Sequence, residues 1–359
     1  MKHIKKGRLA RKIVAMLVTL TMVFTMSVAA YASDSGSNQA LDSTALAFYN
    51  GQLELPVIGA TGWTAIPLQL HTAPTDPSAP GFMALPAGQV FTIYDTYDGW
   101  WDVRLPGGYT GWVPSRKCFI NLPDVIPSIV YNISNADRSL LSSVGYGIND
   151  VSGYSLHQAH AYNQRLERYE FFVPVQYMTA LRLHQVQQAA LAQGDTIIMY
   201  EAFRPLQVQR RIAHYFTVLV NQNAAVRAAV TTPPWSITWF ISTGISNHQR
   251  GAAVDVSLGR VEAYEIHFYE GYAYMHITDF VAHEMPTAMH ELSPAAAALQ
   301  WPGGPVANTM TAGALRMQEL FLEYGFTLLA SEWWHFNDPY AVQNANELGM
   351  RGNFMIMHP

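Results

Sequence analysis

Two segments decide how this sequence is interpreted. The first is Ser246-Asn247-His248-Gln249-Arg250-Gly251-Ala252-Ala253-Val254-Asp255, and the second, late in the chain, is Glu332-Trp333-Trp334-His335. Together the two segments supply two imidazoles and a carboxylate. These three donors suit a divalent ion such as Zn2+ and leave its fourth position open for water. Glu332 lies three residues before the last donor and offers a carboxylate that need not bind the ion. These residue types are typical of a zinc hydrolase.

The spacing of the donors predicts where they lie. His248 and Asp255 are seven residues apart with Gly251 and two alanines between them, so the chain can turn tightly beside an ion. From Val254 to Leu258 the residues alternate as in a strand. We predict that the donors occupy a loop and the beginning of a strand.

The donor set also predicts separate roles for the metal ion and for Glu332. Zinc with three protein ligands lowers the pKa of a bound water to about 7. Glu332 would take the proton of that water and pass it to the leaving amine, which requires a carboxylate close to the metal but not bound to it.

A helical His-Glu-x-x-His site is the natural competitor, and His283-Glu284-Met285-Pro286 resembles its beginning. Pro286 would break such a helix, and His290 follows His283 by seven residues rather than four. We therefore predict a loop here. His283, His290 and Glu291 are expected to be solvated loop residues, with pocket residues as the less favoured alternative.

The composition limits the possible functions. The chain has 359 residues, enough for two domains, a formal net charge of -5 and only 13% charged residues, which argues against a nucleic-acid partner. Cys118 is the single cysteine, so no internal disulfide can form. Its neighbours Phe119 and Ile120 predict a small core residue rather than a nucleophile.

The N-terminus carries an export signal by its pattern. Six basic residues precede an apolar run from Ile13 to about Val28, and Ala30-Tyr31-Ala32 offers small residues for cleavage. We predict a signal peptide over residues 1–32, with a retained membrane anchor as the less favoured alternative, and a solvated linker over residues 33–52. The mature protein is then extracytoplasmic and cell-wall associated, without a stable membrane span.

Residues 53–122 change to short alternating segments separated by Gly and Pro, which predicts a small all-β barrel. The segments are Gly88 to Tyr94, Gly99 to Leu105 and Gly107 to Val113. Leu85-Pro86-Ala87-Gly88, Trp100-Trp101-Asp102-Val103 and Thr110-Gly111-Trp112-Val113 resemble, in order, the strands of bacterial SH3-like domains of secreted wall enzymes. The resemblance implies a wall-binding module. Equally, Trp100, Trp101 and Trp112 could be barrel core and the domain a spacer.

Beyond the Pro-punctuated boundary Leu122 to Pro127, helices and strands interleave without a phosphate-binding glycine loop, so we predict an α+β fold. Predicted helices run from Val173 to a stop at Gly194, from Leu206 to about Asn221, and from Ala312 to Tyr324. A buried strand is predicted from Thr196 to Tyr200.

Residues 130–359 resemble the zinc D-alanyl-D-alanine dipeptidases of the vancomycin-resistance type and their D,D-carboxypeptidase relatives. Three elements occur in the family's order: Tyr200 to Pro205 for its Arg-Pro element, Ser246 to Asp255 for Ser-x-His-x-x-Gly-x-Ala-x-Asp, and Glu332 to Phe336 for Glu-Trp-Trp-His-aromatic.

The resemblance implies a Hedgehog/DD-peptidase-like fold and a role for each matching residue. His248, Asp255 and His335 would bind zinc, Glu332 would be the base, and Arg204 would face the scissile carbonyl, where charge develops in the transition state. Ser246 would contact either the substrate carboxylate or a ligand of the metal.

One segment departs from the family. Glu284 to Glu291 stands where dipeptidases usually carry Met-Gly-Thr followed by Phe-Asp. The expected activity is hydrolysis of D-Ala-D-Ala in peptidoglycan precursors or wall-derived peptides. Alternatives are a D,D-carboxypeptidase or endopeptidase acting on longer stems, or a non-catalytic wall-binding protein of the same fold.

Overall fold

A computed structural model describes residues 51–76, 78 and 80–359. The predicted signal peptide, residues 1–32, and residues 33–50 of the predicted linker lie outside these described residues. Among the described helices, none has the length and apolar character needed to span a membrane.

The predicted barrel is present between residues 61 and 121. Its tightest turn joins two of the strands predicted from glycine spacing, and Asp98 and Gly99 make it with φ values of 43° and 79°. Trp63, Phe91 and Val103 are buried inside the barrel. The strands are Thr61–Thr64, Leu68–Leu70, Met83–Leu85, Val90–Tyr97, Trp100–Arg104, Thr110–Pro114 and Cys118–Asn121.

The barrel shares a sheet and a hydrophobic core with the rest of the described chain. Pro174–Gln176 pairs antiparallel with Cys118–Asn121, so a strand from beyond the predicted boundary completes the barrel sheet. Phe119 packs against Phe203 and Phe354, with ring centroids 5.6 and 6.2 Å away. The Trp63 indole donates a hydrogen bond to the carbonyl of Met357 at 2.8 Å. The barrel is therefore packed against the second region over several contacts rather than only tethered to it.

A second six-stranded sheet forms the centre of the C-terminal region. The predicted strand Thr196 to Tyr200 is present in this sheet as part of Asp195–Glu201. It pairs antiparallel with Ala253–Tyr269 and parallel with Val130–Tyr131 at the edge of the sheet. In order across the sheet the strands are Thr327–Leu329, Glu332–Asn337, Ala253–Tyr269, Asp195–Glu201 and Val130–Tyr131, with Tyr272–Ala282 pairing along the outer half of Ala253–Tyr269.

The helices match the prediction at two of three positions and differ at the third. Helices cover Leu206–Gln222 and Ala312–Glu323, and the second ends just before Gly325 at φ 82°. The helix predicted to begin at Val173 begins at Tyr177 instead, because Pro174–Gln176 pairs with the barrel. The α-helices are Leu122–Val125, Ser134–Asp137, Tyr177–Leu191, Leu206–Gln222, Ala224–Thr231, Ile237–Phe240, Ala312–Glu323 and Pro339–Leu348. This mixture of sheets and helices is consistent with an α+β fold.

A long hairpin, formed by Ala253–Tyr269 and Tyr272–Ala282, extends well beyond the five residues predicted as strand. Its tip returns to the segment before the barrel, where Tyr274 packs in a small cluster with Leu55 and Leu166. The Arg165 guanidinium lies 4.5 Å from the centre of the Tyr269 ring, a cation–π contact.

Glu54 lies where the segment before the barrel meets the C-terminal region. Its carboxylate accepts hydrogen bonds from the backbone and hydroxyl of Ser128, and from the Gln188 amide at 2.9 Å. Burial raises the pKa of Glu54 to about 7, although these hydrogen bonds oppose the shift. The folded protein therefore binds this proton more tightly than the unfolded chain.

Stability should consequently fall as pH rises from 5 to 8. The contribution of the neutral carboxyl is fully present below the unfolded pKa of about 4.5 and is lost as pH passes about 7. Glu54→Gln, which stays neutral, should gain on the order of 1–2 kcal/mol relative to wild type between pH 5 and 8, measured by urea unfolding. The exposed Glu319→Gln is the control. A parallel pH dependence in wild type and Glu54→Gln would contradict the assignment.

Gly251 lies at a close contact between the C-terminal region and the barrel. It has a φ of 60°, and a Cβ there would lie 2.7 Å from the Phe119 ring and 3.1 Å from the Gln176 nitrogen. Gly325 has a φ of 82° but open space around it within the described chain. An alanine at Gly325 would meet backbone strain only, whereas an alanine at Gly251 would meet backbone strain and a steric conflict.

We expect Gly325→Ala to cost about 1 kcal/mol from the left-handed backbone alone, and Gly251→Ala to cost about 1–3 kcal/mol more. Denaturant unfolding of both variants at one pH measures the difference. Equal losses in the two would show that Phe119 yields to the added methyl group without cost.

Candidate metal centre and cleft

Three donor atoms from distant parts of the chain converge at one point. The Nδ1 atom of His335 lies 3.0 Å from Oδ1 of Asp255 and 3.2 Å from Nε2 of His248. The distance from His248 Nε2 to Asp255 Oδ1 is 3.4 Å. The sequence placed these residues up to 87 positions apart, and the fold brings their side chains together.

The outer nitrogen of each imidazole fixes the tautomer of the ring. His248 Nδ1 lies 2.8 Å from the carbonyl of Ala202, which can only accept, so this nitrogen carries the hydrogen. His335 Nε2 lies 3.0 Å from Oδ1 of Asn337, and that amide is oriented by a hydrogen bond from Asn247. In their neutral forms both rings therefore direct a lone pair at the Asp255 oxygen.

Three lone pairs facing one another require a cation between them. In a tetrahedral zinc site the donors are spaced about 3.4 Å apart, and the distances here, 3.0 to 3.4 Å, come close to that value. The donor set and its spacing fit zinc. The backbone carbonyl of Ala202 at His248 is a usual partner for the outer nitrogen of a metal-bound imidazole.

Without a metal, a proton is the alternative cation. Burial lowers the pKa of His335, but the hydrogen bond and charge of Asp255 outweigh it, so the pKa of His335 is raised. Burial lowers the pKa of His248, and the Arg204 charge adds to that effect. A metal ion entering the site would displace the shared proton, so metal affinity should rise with pH.

Strand register and one tight turn place the donors. Asp255 pairs directly with His335 on one neighbouring strand and with Glu201 on the other. His248 lies on the short 3-10 turn Asn247–Arg250, which ends at Gly251 in the left-handed conformation. His248 thus lies in a loop and Asp255 near the beginning of a strand, the arrangement that the spacing predicts.

The second oxygen of Asp255 contacts two further side chains. Oδ2 lies 3.0 Å from Nε2 of His290 and 3.5 Å from Nη2 of Arg204. Burial alone would raise the pKa of Asp255, but the surrounding imidazoles outweigh it and hold the pKa well below the usual range. Asp255 is therefore a carboxylate with both oxygens engaged.

Arg204 is buried in the cleft and bound from several sides. Its guanidinium donates two hydrogen bonds to Glu201, through Nε at 2.8 Å and through Nη2, and a third to Gln209 at 2.7 Å. These contacts use only part of the N–H groups of a guanidinium. Its charge balances Glu201 and Asp255, two buried carboxylates that would otherwise be costly.

Glu201, Asp255 and His290 also bring three ligand-type atoms within 4.8 Å of one another. The Arg204 guanidinium contacts both carboxylates of this second group. Because that positive charge already occupies the space between them, the second group does not need a metal ion, and a divalent cation there would be repelled.

Glu332 lies beside the donors without joining them. Its Oε2 atom is 3.8 Å from His335 Nδ1, and its side chain is only 9% exposed. Burial, reinforced by the charge of Asp255, raises the pKa of Glu332 to about 8 against the opposing charges of His335 and Arg204. The metal-free site therefore holds a proton on this carboxyl near neutral pH.

Ser246 lines the cleft at the start of the turn that carries His248. Its backbone N–H donates to the Gln249 amide at 2.6 Å, while its buried Oγ makes no hydrogen bond to the described residues. Such a hydroxyl at the edge of a cleft can contact a ligand or water.

One cleft of about 250 Å³ brings together all six residues predicted for the site. These polar residues are Arg204, Ser246, His248, Asp255, Glu332 and His335. Apolar side chains also line the cleft, among them Trp239, Ile241, Ile245 and Leu329. Apolar side chains with a few converging polar groups are the usual lining of a small-molecule or peptide cleft.

The prediction of a solvated His290 was wrong. The residue is 1% exposed and bonds to Asp255, because the loop that carries it folds back over the sheet. His283 does lie outside the cleft, partly exposed and bonded to Asp195, and the segment from His283 to Thr287 is a loop as predicted. Glu291 accepts a hydrogen bond from Ser142.

Four supporting residues were not recognised in the sequence: Glu201, Gln209, Asn247 and Asn337. A signal was available for Glu201 and Asn337, since Glu201 precedes Arg204 by three residues and Asn337 follows His335 by two on one strand. Gln209 and Asn247 carry no such signal, because their partners are defined by the tertiary fold.

Two of the three tryptophans singled out in the barrel are buried and also line a cavity. Trp100 and Trp101 are buried, and Trp101 meets the ring of Tyr177 edge to face at 5.6 Å. Both also line a cavity of about 290 Å³ between the barrel and Tyr177, beside the exposed Tyr97. Trp112 is partly exposed.

Comparison with known families identifies one part of the chain. No curated protein gives a significant match to the sequence. Residues 68–117 match the family model described as a bacterial SH3 domain, so this chain carries a bacterial SH3 domain within its barrel.

Proposed function

We propose that this protein is a zinc metallopeptidase that hydrolyses D-Ala-D-Ala bonds of peptidoglycan precursors or wall-derived peptides. The observation that supports it is the convergence of His248 Nε2, Asp255 Oδ1 and His335 Nδ1 in the lining of a cleft, with Glu332 beside them. The order of the three sequence elements supports the choice of bond.

His248, Asp255 and His335 would hold the ion. Zinc held by three protein donors lowers the pKa of water at its open position and polarises a carbonyl. The proton transfers would be carried out by a side chain of the protein. Glu332 would accept a proton from the attacking water and deliver it to the amide nitrogen, so that the C–N bond breaks and a carboxylate and an amine are released.

Arg204 would stabilise the negative charge that develops on the carbonyl oxygen. Glu201 and Gln209 fix the plane of its guanidinium, so its remaining N–H groups are oriented before substrate arrives. Removing one donor of this type costs about 3 kcal/mol of transition-state stabilisation.

We further propose that the protein acts outside the cytoplasm at the cell wall. The match of residues 68–117 to a bacterial SH3 domain and the signal-peptide pattern of the N-terminus support this location. The cavity beside Trp100, with its exposed Tyr97, is the part of the barrel that would contact wall material.

Replacing Glu332 tests the mechanism. Glu332→Gln should lower kcat on D-Ala-D-Ala or on a stem pentapeptide by at least about a hundredfold, because the general base is lost. The three metal donors remain, so zinc content, measured by elemental mass spectrometry, should stay at the wild-type level. The exposed Glu323→Gln is the matched control and should retain full activity.

Hydrolysis of the dipeptide and of the pentapeptide, followed by mass spectrometry of the products, separates a dipeptidase from a carboxypeptidase. A cross-linked muropeptide added to the same assay reports endopeptidase activity. Undiminished hydrolysis after complete chelation would refute the metallopeptidase proposal. A zinc-loaded wild-type protein that cleaves none of the three substrates would favour a wall-binding protein.

The metal stoichiometry is a separate expectation. We expect one zinc ion per chain, because Arg204 already neutralises Glu201 and the second oxygen of Asp255. Titration of metal-free protein with zinc, followed by equilibrium dialysis, measures the number. Two tightly bound equivalents would show that the second group also takes a metal.

A further inference from the structure

The ring of His290 is enclosed between the acidic donor and the tryptophan beside the last donor. Its Nε2 atom lies 3.0 Å from Asp255 Oδ2, and its ring meets the Trp334 indole edge to face at 5.8 Å. A carboxylate can only accept, so the hydrogen lies on Nε2 and points at Asp255. The ring thus contacts the oxygen of Asp255 that faces away from His248 and His335.

The backbone of His290 is held in an unfavourable conformation to make this contact. Its φ of 61° is uncommon for a residue with a side chain and costs about 1 kcal/mol. Ser142 holds the turn from both sides, donating to the His290 carbonyl at 3.2 Å and accepting from the Leu292 N–H at 2.8 Å. The strain and the two backbone bonds fix the ring relative to the sheet.

Two side chains contact Oδ2 of Asp255, and His290 is the closer of the two. Arg204 approaches the same oxygen at 3.5 Å, longer than a good hydrogen bond, and its other donors are directed at Glu201 and Gln209. His290 is therefore the shorter of the two restraints on Oδ2, and by fixing this oxygen it limits the direction in which Oδ1 faces.

We propose that His290 is a positioning residue that sets the metal affinity of the site by orienting Asp255. This inference rests on the metal binding proposed above. Hydrogen bonds to a ligating side chain typically account for about 10- to 100-fold in metal affinity. His290 would not contact the ion or the substrate.

Two substitutions separate orientation from packing. His290→Phe keeps an aromatic ring against Trp334 but removes the donor, and we expect it to weaken zinc binding about 10- to 100-fold. His290→Gln keeps an N–H at a similar reach and should stay within about threefold of wild type. Affinity is measured by competition with a chromophoric chelator at fixed pH, and the thermal unfolding of the metal-free proteins is recorded alongside.

The chain offers a matched control in His283. This residue bonds to Asp195 at 2.9 Å, and Arg316 contacts the same carboxylate, so the group reproduces the arrangement around Asp255 without donating to the centre. His283→Phe should leave zinc affinity unchanged. If His290→Phe does not fold, His290→Asn, whose amide is too short to reach Asp255, replaces it in the comparison with His290→Gln.

The outcomes distinguish this inference from the proposed function. Wild-type protein that binds no zinc would remove the metal centre itself. Wild-type protein that binds zinc, with His290→Phe or His290→Asn binding equally tightly, would overturn the role of His290 alone. Equal weakening in His290→Phe and His290→Gln would assign the effect to packing and also overturn it.

Discussion

The buried carboxylate of Asp255 is the charge around which the rest of the site is arranged. One oxygen faces His335 and His248, at 3.0 and 3.4 Å, while the other faces His290 and Arg204. A carboxylate removed from water must recover its solvation from partners. Here the imidazoles and the guanidinium provide part of it, and the point where three lone pairs meet leaves room for a cation.

The position of that carboxylate is a consequence of sheet register. Asp255 stands opposite His335 on one side and Glu201 on the other, so a shift of one residue would turn it to the other face and separate the donors. The turn that carries His248 is held in addition by the barrel, since Gly251 lies against Phe119 and Gln176. The barrel thus directly supports the turn that carries His248.

Local patterns were sufficient for much of the fold. The barrel strands follow from alternation between glycine turns, and the helix Leu206–Gln222 follows from its apolar spacing. The helix predicted from Val173 began four residues late because Pro174–Gln176 pairs with a distant strand, which helical spacing does not register. The long hairpin was missed beyond Leu258 for a related reason, since its outer half is stabilised by contacts with Leu55 and Leu166 far along the chain.

The sequence by itself determined the candidate metal donors and the spare acid Glu332, because ligand chemistry belongs to residue types and to their spacing within each motif. Only the tertiary structure decided that His290 restrains Asp255 and that Arg204 is shared between two carboxylates. These contacts join segments that are independent in sequence. Their distances are set by strand register and by the packing of a loop with a strained residue, and neither leaves a local pattern to detect.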